Sequence, residues 1–368
     1  MKHQILIVDS SKQKAYFLIQ LLEYFVKHGF WFWLLADKNW LFNKFEDNNW
    51  PCRKKWGMTA SLPALPFLLF INFMRLLWYK QLRQIKTVIC LHWPEKIILT
   101  PLAKLLNLSI IWMEMPGFDY EELKPWMRSK YLKQSANAKL VCWTSWTKQK
   151  LIELGVKEDN CIILLPGINP KDYLYQENIF DNLAFANPAG QKRFTIGTVV
   201  DLNEHQRIEM LLQALEICLG LDSDIQLVVI GSGQQRKKID WLVKKMKLNN
   251  HVWLVSDQVS LKKWFNNFDL FVVASKNPDL DNIVVTIGAM ANGLAVIAPH
   301  DSCLGDLSFN NQAAVLTEIS NGEILARKII RLQQDYKLRK QLGVNAKAVV
   351  NKYFMFERAA RELMDILK

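Results

Sequence analysis

The chain has no long apolar run. Its most hydrophobic stretch, Leu62 to Tyr79, opens on Pro63 and Pro66 and is interrupted by Asn72 and Arg75, so the unbroken part is too short to cross a bilayer. Paired cysteine spacing is missing too. Cys52, Cys90, Cys142, Cys161, Cys218 and Cys303 stand apart, with no CxxC and no cysteine–histidine cluster, which argues against a disulfide scaffold and against a metal site. Cys90, Cys142 and Cys161 lie within apolar runs and read as reduced, buried thiols. The opening run Ile5-Leu6-Ile7-Val8 is too short for a signal peptide and reads as a first strand, so a cytoplasmic chain is expected. No helix-turn-helix, zinc-finger or RNP-like pattern accompanies the net charge of +12, and nucleic acid is not expected as a partner.

The charge and the aromatics that are present are unevenly spread. Residues 1–190 hold 24 Lys and Arg against 16 Asp and Glu, and 11 of the 14 tryptophans. A basic, tryptophan-rich half suits an anionic surface such as membrane headgroups. The plain alternative is a solvated basic surface over core tryptophans. Arg53-Lys54-Lys55-Trp56 precedes the apolar stretch, and Arg75, Lys80, Arg83 and Lys86 lie in or after it, the mixture of a helix lying in the membrane interface. The expected place is therefore cytoplasmic, with peripheral contact on the inner face of the membrane.

Short apolar runs alternate with amphipathic stretches along most of the chain. Candidate strands in the first half are Ile5–Val8, Trp31–Leu35, Thr87–Leu91, Ser109–Met113, Lys139–Trp143 and Cys161–Leu165, with helical patterns at Lys12–Lys27, Pro66–Gln84, Pro94–Leu106, Tyr120–Ser135 and Thr147–Leu154. The second half repeats the unit at Phe194–Val200, Ile225–Ile230, His251–Val255, Leu270–Ala274 and Leu294–Ala298, then turns helical after Leu316. Runs of this kind are strands buried on both faces of a parallel sheet. The spacing predicts α/β architecture with two doubly wound, Rossmann-like domains facing across a cleft. The expected boundaries are 1–180, 191–352 and a closing helix, 353–368, packed back toward the first domain. Glu177–Lys192 is the expected linker.

Ligands on such sheets bind at the carboxyl ends of the strands. Gly231-Ser232-Gly233 falls there, after one strand and before the helix pattern Gln234–Lys247. Glycine lets backbone approach a ligand, and a helix N-terminus favours anions; a tight turn without a ligand is the plain alternative. Asp269-Leu270-Phe271-Val272-Val273-Ala274-Ser275 leads into a polar loop ending at Asp281-Asn282. A helix then runs from near Ile283 through Gly288-Ala289-Met290-Ala291-Asn292-Gly293.

This passage resembles the donor-binding core of GT-B glycosyltransferases of the retaining family 4 type, with their D-x-F-V-x-x-S strand and E-A-M-A-x-G-x-P-V-I-A helix and strand. Leu164-Leu165-Pro166-Gly167-Ile168-Asn169 is similar to the family's V-I-P-N-G-V-D turn, and Gln333-Gln334-Asp335 through Phe354 to its closing helices. The likeness covers nearly the whole chain. It implies a nucleotide-sugar donor, a lipid-linked or glycan acceptor, retention at the anomeric carbon, and no cofactor or metal.

The same likeness exposes departures. The family's E-x7-E pattern falls on Leu280 and Gly288, neither acidic; Asp279 or Asp281 stands nearest the first. The diphosphate-steadying cations fall on Asp201 and Gln206, with Arg207 one residue on, and a glycine-rich loop after the first strand is replaced by Ser10-Ser11-Lys12-Gln13. The resemblance thus implies a catalytic role for Asp281, while Glu114, at a strand's end, is expected as a second catalytic residue that orients an acceptor hydroxyl or a histidine partner, the plain alternative being a loop-facing carboxylate. The implied donor contacts are Gly231, Ser232, Gly233, Arg207, Ser275, Asn282, Ile283, Val284, Gly288 and Ala289, and His92 stands on the acceptor side. Three readings stay open: a glycosyltransferase of polysaccharide or cell-envelope synthesis, a homologue without catalysis that serves as a binding or assembly subunit, or a different GT-B activity such as a phosphorylase or an epimerase-like nucleotide-sugar enzyme, for which no specific signal stands in the chain.

Overall fold

Strands such as Ile5–Val8 and Ile225–Ile230 carry an apolar side chain at almost every position, so both of their faces must be covered, and crossover helices supply the cover. A computed structural model describes residues 3–11, 14–54, 65–117, 120, 123–173, 192–202, 207–256, 261–275, 278–308 and 312–368. The chain divides into two units, Met1–Leu165 with Ala359–Lys368, and Pro166–Arg358.

In the first unit the elements run β1 (His3–Asp9), α1 (Tyr16–Lys27), β2 (Phe30–Ala36), α2 (Trp40–Asp47), β3 (Cys52–Lys54), α3 (Leu65–Arg83) and β4 (Thr87–Cys90). They continue as α4 (Trp93–Leu105), β5 (Ser109–Glu114), α5 (Pro125–Ser135), β6 (Lys139–Cys142), α6 (Ser145–Leu154) and β7 (Cys161–Ile163). The sheet order is β3-β2-β1-β4-β5-β6-β7, and its pairings are parallel. Ile5 of β1 sits between Phe32 of β2 and Thr87 of β4. The order reverses between β1 and β4, the switch point at which such sheets open a crevice.

The second unit runs β8 (Phe194–Val199), α7 (Ile208–Leu219), β9 (Ile225–Ile230), α8 (Arg236–Lys245), β10 (Val252–Val255), α9 (Leu261–Phe265) and β11 (Leu270–Val272). After these come α10 (Leu280–Ala291), β12 (Ala295–Pro299), α11 (Gly305–Ser308), β13 (Val315–Thr317), α12 (Gly322–Gln334) and α13 (Tyr336–Tyr353); the last helix, α14 (Phe356–Leu367), belongs to the first unit from Ala359 onward. Its parallel order, β10-β9-β8-β11-β12-β13, puts the switch between β8 and β11. Leu211, Leu215, Leu227, Val229, Val272, Ile297, Leu325 and Ile329 are among the buried side chains of its core.

Several boundaries differ from the sequence reading. The pattern at Tyr120–Ser135 becomes a helix only at Pro125, because the residue before a proline is pushed out of helical geometry and Lys124 is extended (φ −55°, ψ 145°). Helix α10 starts at Leu280, ahead of Ile283, because Asp279 caps it: its carboxylate accepts from the Asn282 amide while the Asn282 side chain accepts from the Asp279 amide. The division between units falls after Leu165 rather than near residue 180. Ile168 is tied to the end of the second unit, donating to Phe354 O (2.8 Å) and accepting from Phe356 N (2.9 Å). The expected linker, Glu177–Lys192, lies outside the described residues except for Lys192, and so do Gln206 and the Lys12-Gln13 pair.

Candidate functional site

In the first unit, a cavity of about 330 Å³ opens at the β1–β4 switch point. Ser10, His92, Trp93, Lys96, Glu114 and Tyr120 contribute to its lining. His92 is the N-cap residue of α4, and its Nδ1 lies 3.0 Å from Ser10 Oγ. Glu114 ends β5 and is buried. Lys96 Nζ donates to its Oε2 at 2.7 Å and to Met113 O at 2.9 Å, and Tyr120 Oη donates to Oε2 at 2.8 Å. Glu114 is therefore not a loop carboxylate but half of a buried ion pair (side-chain exposure 4% for Lys96, 1% for Glu114). Burial first, then the negative charge of Glu114, pushes the Tyr120 and Tyr131 hydroxyls well above the usual tyrosine range, so both stay protonated.

Asp9 ends β1 beside this cavity's serine loop. It accepts from the Ser11 amide (2.9 Å) and from Asn39 Nδ2 (2.7 Å). Burial nonetheless raises its pKa to about 6, with Glu95 adding in the same direction. Lys96 and Asp9 were not singled out in the sequence. The signal for Lys96 was a lysine beside Glu95 in the first turn of a largely apolar helix, and it becomes telling only once Glu114 is seen opposite.

In the second unit the residues at the β8–β11 switch point come from four segments. Gly231 and Gly233 follow β9 with φ of +156° and +153°. A β-carbon on Gly231 would run into Val200 O, and one on Gly233 into Leu202 O, so two strand-end loops pass in contact here and only glycine permits it. Their hydrogen bonds are internal: Gly231 N donates to Val255 O (2.9 Å) and Leu202 N to Ser232 O (2.8 Å).

Arg207 precedes α7, and its amide donates to Ala274 O (2.7 Å), which pins it beside the end of β11 and buried Ser275. Its Nη2 lies 3.5 Å from Asp301 Oδ2, while its buried Nη1 makes no hydrogen bond among the described residues. Asp279 is buried, and that burial, reinforced by Asp281 and Asp201, raises its pKa to about 6. Asp201, Asp279 and Asp281 thus lie close enough to act on one another at this end of the sheet.

Gly288 lies in the middle of α10. A β-carbon there would strike the ring of Tyr173, whose backbone oxygen accepts from Asn292 Nδ2 at 3.0 Å. Tyr173 also stacks on Phe265 (6.4 Å between centroids, 21°). Burial, with Asp281 and Asp172 adding to it, raises its pKa to about 12.

Residues 180–349 match the family model described as glycosyl transferases group 1. That match lies within the second unit, which resembles a group 1 glycosyltransferase domain. The chain is 26% identical over 248 residues to the uncharacterized glycosyltransferase MJ1178 of Methanocaldococcus jannaschii, covering 66% of this chain and 63% of that protein. It is 27% identical over 220 residues to the capsular polysaccharide biosynthesis glycosyltransferase CapM of Staphylococcus aureus, covering 56% and 55%. The matches thus span between about half and two thirds of the length of these curated relatives. Among solved structures, Alr3699/HepE of Anabaena, crystallised with UDP, superposes with a TM-score of 0.82 at 15% identity over 100% of this chain and 99% of that one. The fold is that of the GT-B glycosyltransferases.

Within the second unit, the sequence-expected donor residues divide into two groups. Arg207, Ser275 and the Gly231–Gly233 turn share the switch point. The amides of Asn282 and Ile283, expected to face the donor, are instead closed by Asp279, at 2.8 Å to its carboxylate and 3.1 Å to its backbone oxygen. The Gly231 amide is likewise taken by Val255. Ile283, Val284 and Ala289 are buried packing residues, and Gly288 is covered by Tyr173. Asp281 stands in the first turn of α10, where a carboxylate is favoured by the helix dipole. Tyr173 was missed because its partner lies over a hundred residues away and no local pattern marks it. Among the described residues, no group of three or more His, Cys, Asp and Glu side chains is placed to hold a metal ion.

Proposed function

We propose that the chain transfers a sugar from a nucleotide-sugar to a lipid-linked or surface-polysaccharide acceptor, with retention at the anomeric carbon and without a metal. The donor occupies the β8–β11 switch point, and the acceptor sugar the first unit's cavity beside His92 and Glu114. Arg207 carries this reading: it is a guanidinium whose buried Nη1 has no hydrogen-bond partner among the described residues, at the strand ends where the donor's diphosphate belongs, and there it would neutralise the leaving group. The crystallised UDP complex of HepE and the polysaccharide role in CapM's name support the donor and acceptor classes. An acceptor of that kind puts the chain at the inner face of a membrane, with the basic, tryptophan-rich first unit in contact with it. Calorimetric titration with UDP, GDP and their sugar conjugates tests the reading. Binding of one nucleotide, weakened roughly tenfold or more in Arg207→Ala, is expected; no heat with any of them would overturn it.

A second reading is favoured by Gly288 and Tyr173. The place where the family's second carboxylate stands is filled by an aromatic ring, which suits a chain that binds nucleotide but does not turn it over. Transfer of labelled sugar by the unmodified protein would dismiss this alternative.

A further inference from the structure

Helix α3 presents large apolar side chains on two opposite sides, with Asn72 among the inner residues and Gln81 on the outer side. Asn72, Leu76 and Tyr79, each 2% exposed, mark the side packed on the sheet. At 100° per residue, Phe67, Phe70 and Met74 project from the opposite side, and they are 67%, 61% and 47% exposed. A surface helix of a soluble protein shows water a polar face, and a helix apolar all round belongs under cover on both sides. Across its 19 residues α3 carries Arg75, Lys80 and Arg83 and no acid.

Beside it, a groove of about 680 Å³ runs between α3 and the edge strand β3. Phe70, Met74 and Trp78 belong to its apolar part, and Arg53, Lys54 and Arg75 form its cationic part, with no acidic residue among the described residues of the lining. Arg53 stands 4.9 Å above the Trp78 ring, and Arg83 stands 4.3 Å above Trp33. No described helix is long and apolar enough to cross a membrane.

We propose that this face of α3, with the Arg53–Lys54 edge of β3, is a docking surface for an anionic lipid bilayer. Phe67, Phe70 and Met74 enter the boundary between headgroups and acyl chains, while Arg53, Lys54 and Arg75 engage headgroup phosphates. Charge selects this occupant over a second copy of the chain. A two-fold contact brings one patch against itself, so the same cations would face one another with no acid between them. The surface gives the location of the membrane contact in the function proposed above, and its test does not depend on catalysis.

The full chain is sedimented with vesicles of phosphatidylcholine alone or mixed with phosphatidylglycerol. Wild-type protein is expected to bind the mixed vesicles more tightly, with the excess falling as salt rises. Arg53→Glu/Lys54→Glu is expected to remove that excess, a loss of roughly tenfold or more. Phe67→Ser/Phe70→Ser/Met74→Ser is expected to weaken binding to both vesicle types, with circular dichroism and nucleotide titration unchanged. The proposal is overturned if wild type ignores both vesicles or if the variants bind as wild type does. It is also overturned if the triple variant dissolves a dimer seen by sedimentation while vesicle binding stays the same. A chain that binds UDP but not vesicles refutes this surface alone; one that binds vesicles but no nucleotide refutes the donor site alone.

Discussion

The ring of Tyr173 lies against Gly288 and occupies the space into which a side chain at residue 288 would grow. A glycine in a helix interior ordinarily costs about 1 kcal/mol relative to alanine, so Gly288→Ala would stabilise an uncovered α10. Under Tyr173 the sign reverses. Gly288→Glu is expected to destabilise the chain by about 1–3 kcal/mol through overpacking and to leave nucleotide affinity no better. Adding Tyr173→Ala should recover much of that loss. Thermal melts of the two single variants and the double variant measure the coupling, and additive effects would refute the contact.

Arg207→Ala is expected to separate binding from stability. A charge-assisted bond to a phosphate contributes about 1.5–3 kcal/mol, so nucleotide affinity should drop roughly tenfold to a hundredfold. The Asp301 partner is half exposed and 3.5 Å away, so the melting temperature should change little. Titration and melting on one preparation check both statements.

Lys96→Met should be among the costlier single changes in the first unit, because it leaves Glu114 charged and buried. About 3–5 kcal/mol is typical for one partner removed from such a pair. Lys96→Met/Glu114→Gln should cost less than Lys96→Met alone, and urea unfolding of the variants decides it.

Asp9 makes stability depend on pH in a direction opposite to that of most carboxylates. Its folded-state pKa, about 6, lies above its ordinary value of 3.8, so the native state holds the proton more tightly. The stabilisation from that proton is complete below the unfolded value and is lost as pH rises through about 6. A shift of this size corresponds to about 3 kcal/mol. Asp279 is expected to act in the same sense. Asp9→Asn should therefore flatten the decline in urea midpoint between acid and neutral pH, and an unchanged profile would rule out Asp9 as its source.

The parallel sheets were legible because their strands announce themselves locally. Runs such as Leu6–Val8 or Leu227–Ile230 admit hardly any other reading at that length. What the sequence did not reveal depends on which side chains bond to one another, whether near or far along the chain. Asp279 and Asn282 close a capping box that moved the start of α10, although both residues stood in plain sight and only their mutual bonding decided the boundary. The Gly231–Gly233 turn was recognised as a strand-end feature, but its glycines serve chain-to-chain contact with Val200 and Leu202. Glu114 was singled out without Lys96, and Gly288 without Tyr173. In each case the missing half sits on another element, where periodicity carries no information about which side chains will meet.

The outer strands of the two sheets are brief. Cys52–Lys54, Cys161–Ile163 and Val315–Thr317 have three residues each, and Val252–Val255 has four. Open strand edges are where foreign chains add on and aggregates begin, and such short ones present few unsatisfied backbone groups. One of them also displays Arg53 and Lys54, which repel their own kind. Copies crowded together in a concentrated stock therefore find little ladder to extend, and the molecule should remain dispersed at densities that would drive a long, uncharged margin into fibres.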